Sequence, residues 1–104
     1  MVKYGLHGHF KAKPGESSQL AAILMRAAQL MQHAKGCHLY AVAMDEQQPH
    51  SVWVTEIWDS KEDHDNSLSA PGVGELIAEA MPLLDGMPQK GQELKILGGL
   101  GVDA

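Results

Sequence analysis

The stretch Ser51-Val52-Trp53-Val54-Thr55-Glu56-Ile57-Trp58-Asp59-Ser60-Lys61-Glu62-Asp63 decides the fold. Up to Trp58 it is rich in β-branched and aromatic residues, the composition of a strand packed in a sheet. Alternation puts Val52, Val54, Glu56 and Trp58 on one side and Trp53, Thr55 and Ile57 on the other. The character then changes at once. Ser60 reads as a helix N-cap with the acid Asp63 three residues on, and Glu62, Asp63 and Asp65 suit the positive end of the helix dipole.

Working outward, the preceding run His38–Met44 is a second apolar strand, joined to the first by the polar connection Asp45–Pro49. Near the start, Lys3 to about Lys11 alternates as a strand, with Tyr4, Leu6 and Phe10 on one parity and His7 and His9 on the other. Pro14-Gly15 breaks it, and Ser17 or Ser18 is expected to cap a helix. Leu20, Ile23, Leu24, Ala27, Ala28 and Met31 then recur at three- and four-residue steps, predicting a helix to about Ala34 that Gly36 closes. Beyond Trp58, Ala70-Pro71-Gly72 interrupts the helical pattern, and a further helix carries Val73, Leu76, Ile77, Ala80 and Met81 until Pro82 ends or kinks it. Glu93–Leu97 is the last strand. The order β-α-β-β-α-α-β is the split βαβ of a ferredoxin-like α+β fold, a four-stranded antiparallel sheet with helices on one face. Such a sheet leaves its other face open. Leu6, Phe10, Trp53 and Ile57 are expected there, marking a surface for a homodimer.

Composition narrows the function classes. The 104 residues make one domain's worth of chain. Eight Lys+Arg against thirteen Asp+Glu give a net charge of −5, which argues against nucleic acid or anionic lipid as a partner. A single cysteine, Cys37, leaves no internal disulfide framework and reads as an ordinary thiol. No apolar run is long enough to span a membrane and no leader pattern opens the chain, so a cytoplasmic protein is expected. Gly98-Gly99-Leu100-Gly101 follows a strand, but too little chain follows to form a phosphate-binding helix.

Few residues carry chemistry. His7 and His9 leave one face of a strand about 6.5–7 Å apart, a spacing open to proton handling, a shared metal or two polar residues facing water. A metal would need further ligands, and sequence spacing does not bring His38, Glu56 or His64 to the pair, so none is expected. Glu56 is a carboxylate on an otherwise apolar strand face and needs a partner or an opening to water. Trp58 reads as core or pocket wall. His64, on the helix after the strand, has a side chain suited to moving protons near neutrality or to a plain surface role.

The segment Val54-Thr55-Glu56-Ile57-Trp58-Asp59-Ser60-Lys61-Glu62-Asp63, continuing through Leu68 to Pro71, resembles the signature of the antibiotic biosynthesis monooxygenase (ABM) family. Those domains read Glu-x-Trp at the end of the third strand, then Ser-x-Glu, a helix and a proline-containing break. The turn Lys13-Pro14-Gly15 is similar as well. The resemblance implies a single ABM-like domain over residues 1–104 and a dimeric α+β barrel, with a pocket between sheet and helices in each subunit.

It further implies a cofactor-independent monooxygenase acting with O2 on a small electron-rich aromatic such as a quinol or anthrone. A base removes a phenolic or activated C–H proton, the anion passes an electron to O2, and recombination gives a peroxide that collapses. Such chemistry requires a dry pocket, a base and a donor for the developing oxyanion. His7 or His9 is the expected base and His64 the proton donor, with Trp58, Glu56 and Tyr40 contacting substrate; no cofactor is expected. Two other readings stand beside it: a non-catalytic small-molecule-binding dimer, and another enzyme of the family, either an isomerase of a phosphorylated sugar-like molecule or a haem-degrading enzyme. The haem-degrading branch carries Asn, Trp and His where this chain has His7, Ser67 and Ile77, and none of the three agrees.

Overall fold

Residues 2–102, which the computed structural model describes, form one antiparallel sheet in the order β2-β3-β1-β4, with helices against one face. The strands are β1 (Lys3–Lys11), β2 (Cys37–Asp45), β3 (Gln48–Trp58) and β4 (Gln92–Ile96). The helices are α1 (Ser17–Leu30), α2 (Lys61–Ser67) and α3 (Val73–Ala80). The ferredoxin-like order expected from the sequence is therefore the one observed.

Register decides which side chains meet the helices. Residues directly opposed in an antiparallel ladder project to the same side. β1 pairs with β3 through Tyr4↔Trp58, Leu6↔Glu56, Gly8↔Val54 and Phe10↔Val52, and β2 with β3 through Tyr40↔Glu56 and Val42↔Val54. These residues form the covered face. Val52 and Trp58 are fully buried, and Val54 is nearly so. The opposite face carries His7↔Thr55, His9↔Trp53 and Gly5↔Ile57, with Leu94 of β4 beside Gly5.

Trp53 and Ile57 lie on the side of the sheet away from the helices as expected, but Ile57 is already buried within the chain and is not part of an exposed surface. Leu6 and Phe10 do not lie on that side. They pair with Glu56 and Val52 and so turn under the helices. The parity of β1 was readable, but which parity is covered depends on the register with β3.

The helix ends follow local chemistry, with two corrections. Ser60 caps α2 as expected, its hydroxyl accepting the Asp63 backbone N–H at 3.1 Å. For α1 the N-cap is Glu16 rather than a serine, no side chain caps it, and Ser17 is already helical. Its regular part stops at Leu30 and tightens into a 3₁₀ turn over Met31–His33, short of the expected continuous helix. Pro82 ends α3, whose chain tightens into a 3₁₀ turn over Met81–Leu83. Gly36 and Gly72 hold positive φ angles of 83° and 89° at the turns into β2 and α3, where a side chain would be strained.

Two groups of buried side chains hold the layers together. One joins Leu20 and Leu24 of α1 to Val52 and Val54 of β3, with Ala12 and Leu84. The other packs Met31, Trp58 and Val73 against one another. Among the described residues no helix is long and apolar enough to cross a membrane.

Candidate functional site

Between these two groups the layers do not close. A cavity of about 310 Å³ lies between the covered sheet face and the helices. Its floor is Leu6 and Phe10 of β1, Tyr40 of β2 and Glu56 of β3. Its roof comes from the apolar stripe of α1, notably Ile23 and Ala27, and from Leu76 and Ile77 of α3. The same 3/4 spacing that makes these helices amphipathic aims their apolar faces into the space. Leu68, Ile77 and Met81 line the cavity and are about half exposed, so they form its mouth. Its only titratable side chains, among the described residues, are Tyr40, Glu56 and His64.

Glu56 and His64 meet at this cavity. His64 Nε2 stands 3.8 Å from Glu56 Oε1, with both side chains largely buried. The Trp58 indole N–H donates to the same carboxylate oxygen at 3.0 Å. On its other edge, His64 Nδ1 lies 2.9 Å from Asp65 Oδ1. The His64 ring is held against Tyr4, centroids 5.8 Å apart, and meets Trp58 edge-on at 5.7 Å. Position thus comes from β3 for the carboxylate and from the Ser60-capped helix for the imidazole.

Burial pushes the Glu56 carboxyl above its ordinary value, opposed by the Trp58 N–H and then by the charge of His64. Its proton is therefore held more tightly than an exposed glutamate's. Burial, followed by the nearby Glu56, pushes the Tyr40 phenol well up, so it stays a neutral hydroxyl. Tyr4 is raised to about 12, by burial first and then by its hydrogen bond to Glu93. An apolar chamber with a carboxyl, an imidazole and a neutral phenol can bind a small aromatic and move one proton at its polar part.

A profile of the antibiotic biosynthesis monooxygenase family matches residues 4–79, which contain Tyr40, Glu56 and His64. The chain belongs to that family. A solved protein of Chloroflexus aurantiacus, provisionally named an antibiotic biosynthesis monooxygenase, is similar to this ABM chain at 40% identity. The match covers 97% of this chain and 99% of the other, with a TM-score of 0.86. A protein of Deinococcus radiodurans with the same provisional name is 27% identical over 92% of each chain, TM-score 0.71. One from Nitrosomonas europaea shares the fold at 10% identity, covering 91% of this chain and 90% of its own, TM-score 0.84. No curated protein matches the sequence.

Within this ABM fold the expected site residues divide. Glu56, Tyr40 and His64 come together at the cavity. His7 and His9 do not: they lie on the open face against Trp53, His7 stacked with its centroid 5.2 Å from the indole and His9 tilted at 4.6 Å. Pairing with Thr55 and Trp53 turns them away from Glu56, and His7 Nδ1 is engaged by Thr55 Oγ1 at 2.9 Å. Their placement as bases in the sheet–helix pocket is thereby corrected. Of the two roles expected for Trp58, core or pocket wall, the structure shows core. It is fully buried and does not line the cavity, so its expected contact with substrate is corrected. It meets the site through its N–H bond to Glu56 and its edge-on contact with His64. Among the described residues, no three His, Cys, Asp or Glu side chains gather in a metal-binding group. Sequence reasoning missed Leu6 and Phe10 as cavity floor, which the parity of Glu56 could have shown once the register was known. It also missed Asp65 as the partner of His64, for which adjacency in a helix gives no signal.

Proposed function

We propose that this ABM chain is a cofactor-independent monooxygenase that oxidises a small electron-rich aromatic, quinol- or anthrone-like, in the cavity between sheet and helices. The observation that carries the proposal is the pairing of Glu56 and His64 at an otherwise apolar chamber. At about 310 Å³ it stands near the lower end of ligand pockets, roughly 300–1,000 Å³, and suits a molecule of a few fused rings. His64 Nε2 takes the phenolic or activated C–H proton, and Glu56 stabilises the resulting imidazolium. The substrate anion passes an electron to O2 and recombines with the superoxide to a peroxide. Loss of water then leaves one oxygen atom on carbon. The substrate supplies all four electrons, so no external reductant is required. The Tyr40 hydroxyl is the neutral donor for the developing oxyanion.

The remaining readings find less support. Among the described residues no lysine or arginine lines the cavity, so a phosphorylated sugar would enter without a counter-charge. Ser67 and Ile77 do line it, where the haem-degrading branch would carry Trp and His. The open sheet face, with Trp53, Leu94 and the two histidines, is assigned to pairing with a second copy of the chain.

The experiment is oxygen uptake with a panel of reduced naphthoquinols and anthrones, paired with calorimetric binding of the same compounds. Turnover above the buffer rate is expected. Saturable binding without uptake would replace the oxygenase by a binding protein.

A further inference from the structure

We propose that Asp65 is a positioning residue for the reaction at this cavity, fixing His64 as the tautomer that carries its proton on Nδ1 and turns a bare Nε2 toward Glu56 and the substrate. The proposal rests on the reading of the cavity as the reaction site.

Four observations carry it. Side chains at adjacent helix positions diverge, so a contact between residues 64 and 65 is not a default of α2. Here the His64 ring is pinned between Tyr4 and Trp58, which leaves its Nδ1 edge pointing outward to Asp65 Oδ1 at 2.9 Å. The other Asp65 oxygen is taken by Lys61 Nζ at 3.1 Å, one turn earlier on the same helix. Finally, the bond to His64 and then the lysine hold the Asp65 carboxyl below its ordinary value.

An ionised carboxylate only accepts hydrogen bonds. Nδ1 must therefore be the donor, and in the neutral ring Nε2 is then the acceptor. That nitrogen stands 3.8 Å from Glu56 Oε1. Neutral histidine free in water favours the opposite tautomer, with its proton on Nε2 and no basic atom facing the cavity. Asp65 reverses that preference and Lys61 holds Asp65 in place. About half of the Asp65 side chain is exposed, so the effect is smaller than for a buried aspartate behind a catalytic histidine, where loss of the carboxylate costs about 10⁴ in rate.

The test uses the full chain labelled with ¹⁵N and reads the His64 ring by long-range proton–nitrogen correlation at a pH where the nitrogen shifts show the ring to be neutral, about pH 8 or above. Wild type is expected to carry its proton on Nδ1, and Asp65→Ala to revert to Nε2. The exposed neighbour Glu62→Ala, which changes the helix charge equally, is expected to leave the ring unchanged. With 1,4-dihydroxynaphthalene as substrate, Asp65→Ala is expected to lose about tenfold in kcat while KM moves less than about twofold. A wild-type proton on Nε2, an Asp65→Ala ring identical to wild type, or an equal shift in Glu62→Ala would overturn the assignment. The spectra need no turnover. An inactive wild type would defeat the oxygenase reading while the tautomer is still decided by the nitrogen shifts.

Discussion

Replacing Trp58 by Phe separates the two things this residue does, filling space and holding Glu56. Its indole is fully buried against Met31 and Val73, and its N–H donates to Glu56 Oε1 at 3.0 Å. The smaller ring leaves a void, worth about 1–2 kcal/mol and independent of pH. The lost hydrogen bond depends on pH. A bond to a charged acceptor contributes about 1.5–3 kcal/mol and one to a neutral acceptor about 0.5–1.5. The sign follows from the direction of the Glu56 shift. Burial raises its folded value, so its contribution to stability is fully present below the unfolded value and is lost as pH rises through the folded one. The Trp58 N–H opposes that rise, and without it the loss runs deeper. Urea unfolding of wild type and Trp58→Phe at about pH 4.5 and about pH 8 should therefore show a penalty about 1 kcal/mol larger at the higher pH. Equal penalties at both would refute the reasoning, leaving Trp58 as core packing alone.

Three further outcomes follow from the same structure. Ala27→Phe puts a ring into the cavity from α1 and should raise KM for 1,4-dihydroxynaphthalene at least about tenfold while the thermal midpoint stays close to wild type, as steady-state kinetics and calorimetry would show. Gly36→Ala sets a side chain at a φ of 83° against the Asp63 carboxylate and should lower the urea midpoint by the equivalent of about 1–3 kcal/mol with an unchanged slope. Trp53→Glu places a charge at the centre of the open face and should convert a dimeric mass in light scattering to a monomeric one, with the circular dichroism of the fold retained.

Much of this is legible in the sequence itself. The change from β-branched alternation to a serine-capped acidic turn at Trp58–Asp63 locates β3 and α2, and the 3/4 spacing of α1 and α3 gives the roof of the cavity. The identity of the covered face was not legible. β1 offers apolar residues on one parity and histidines on the other, and either could lie beneath helices. Only the pairing of Leu6 with Glu56 puts the histidines on the far side. Periodicity says which residues travel together; register with a neighbouring strand says where they go. The Glu56–His64 pair was half visible for a similar reason. Each stood out singly, as a carboxylate on an apolar face and a helical histidine, but the distance between them depends on how the chain turns at Asp59-Ser60. There the Asp59 N–H bonds the Gly36 carbonyl at 2.8 Å, a contact between the ends of the neighbouring strands β3 and β2 that no local pattern announces.

The most direct measurement is oxygen consumption by the chain, stripped of metal with chelator, on 1,4-dihydroxynaphthalene, comparing wild type with His64→Gln and His7→Gln. Wild type should consume O2 faster than buffer. His64→Gln, which keeps a hydrogen-bonding group but loses the basic nitrogen, should fall by about 10²–10⁴-fold, and His7→Gln should stay within about twofold. A His64→Gln rate equal to wild type, or a loss confined to His7→Gln, would contradict a reaction at the cavity between sheet and helices.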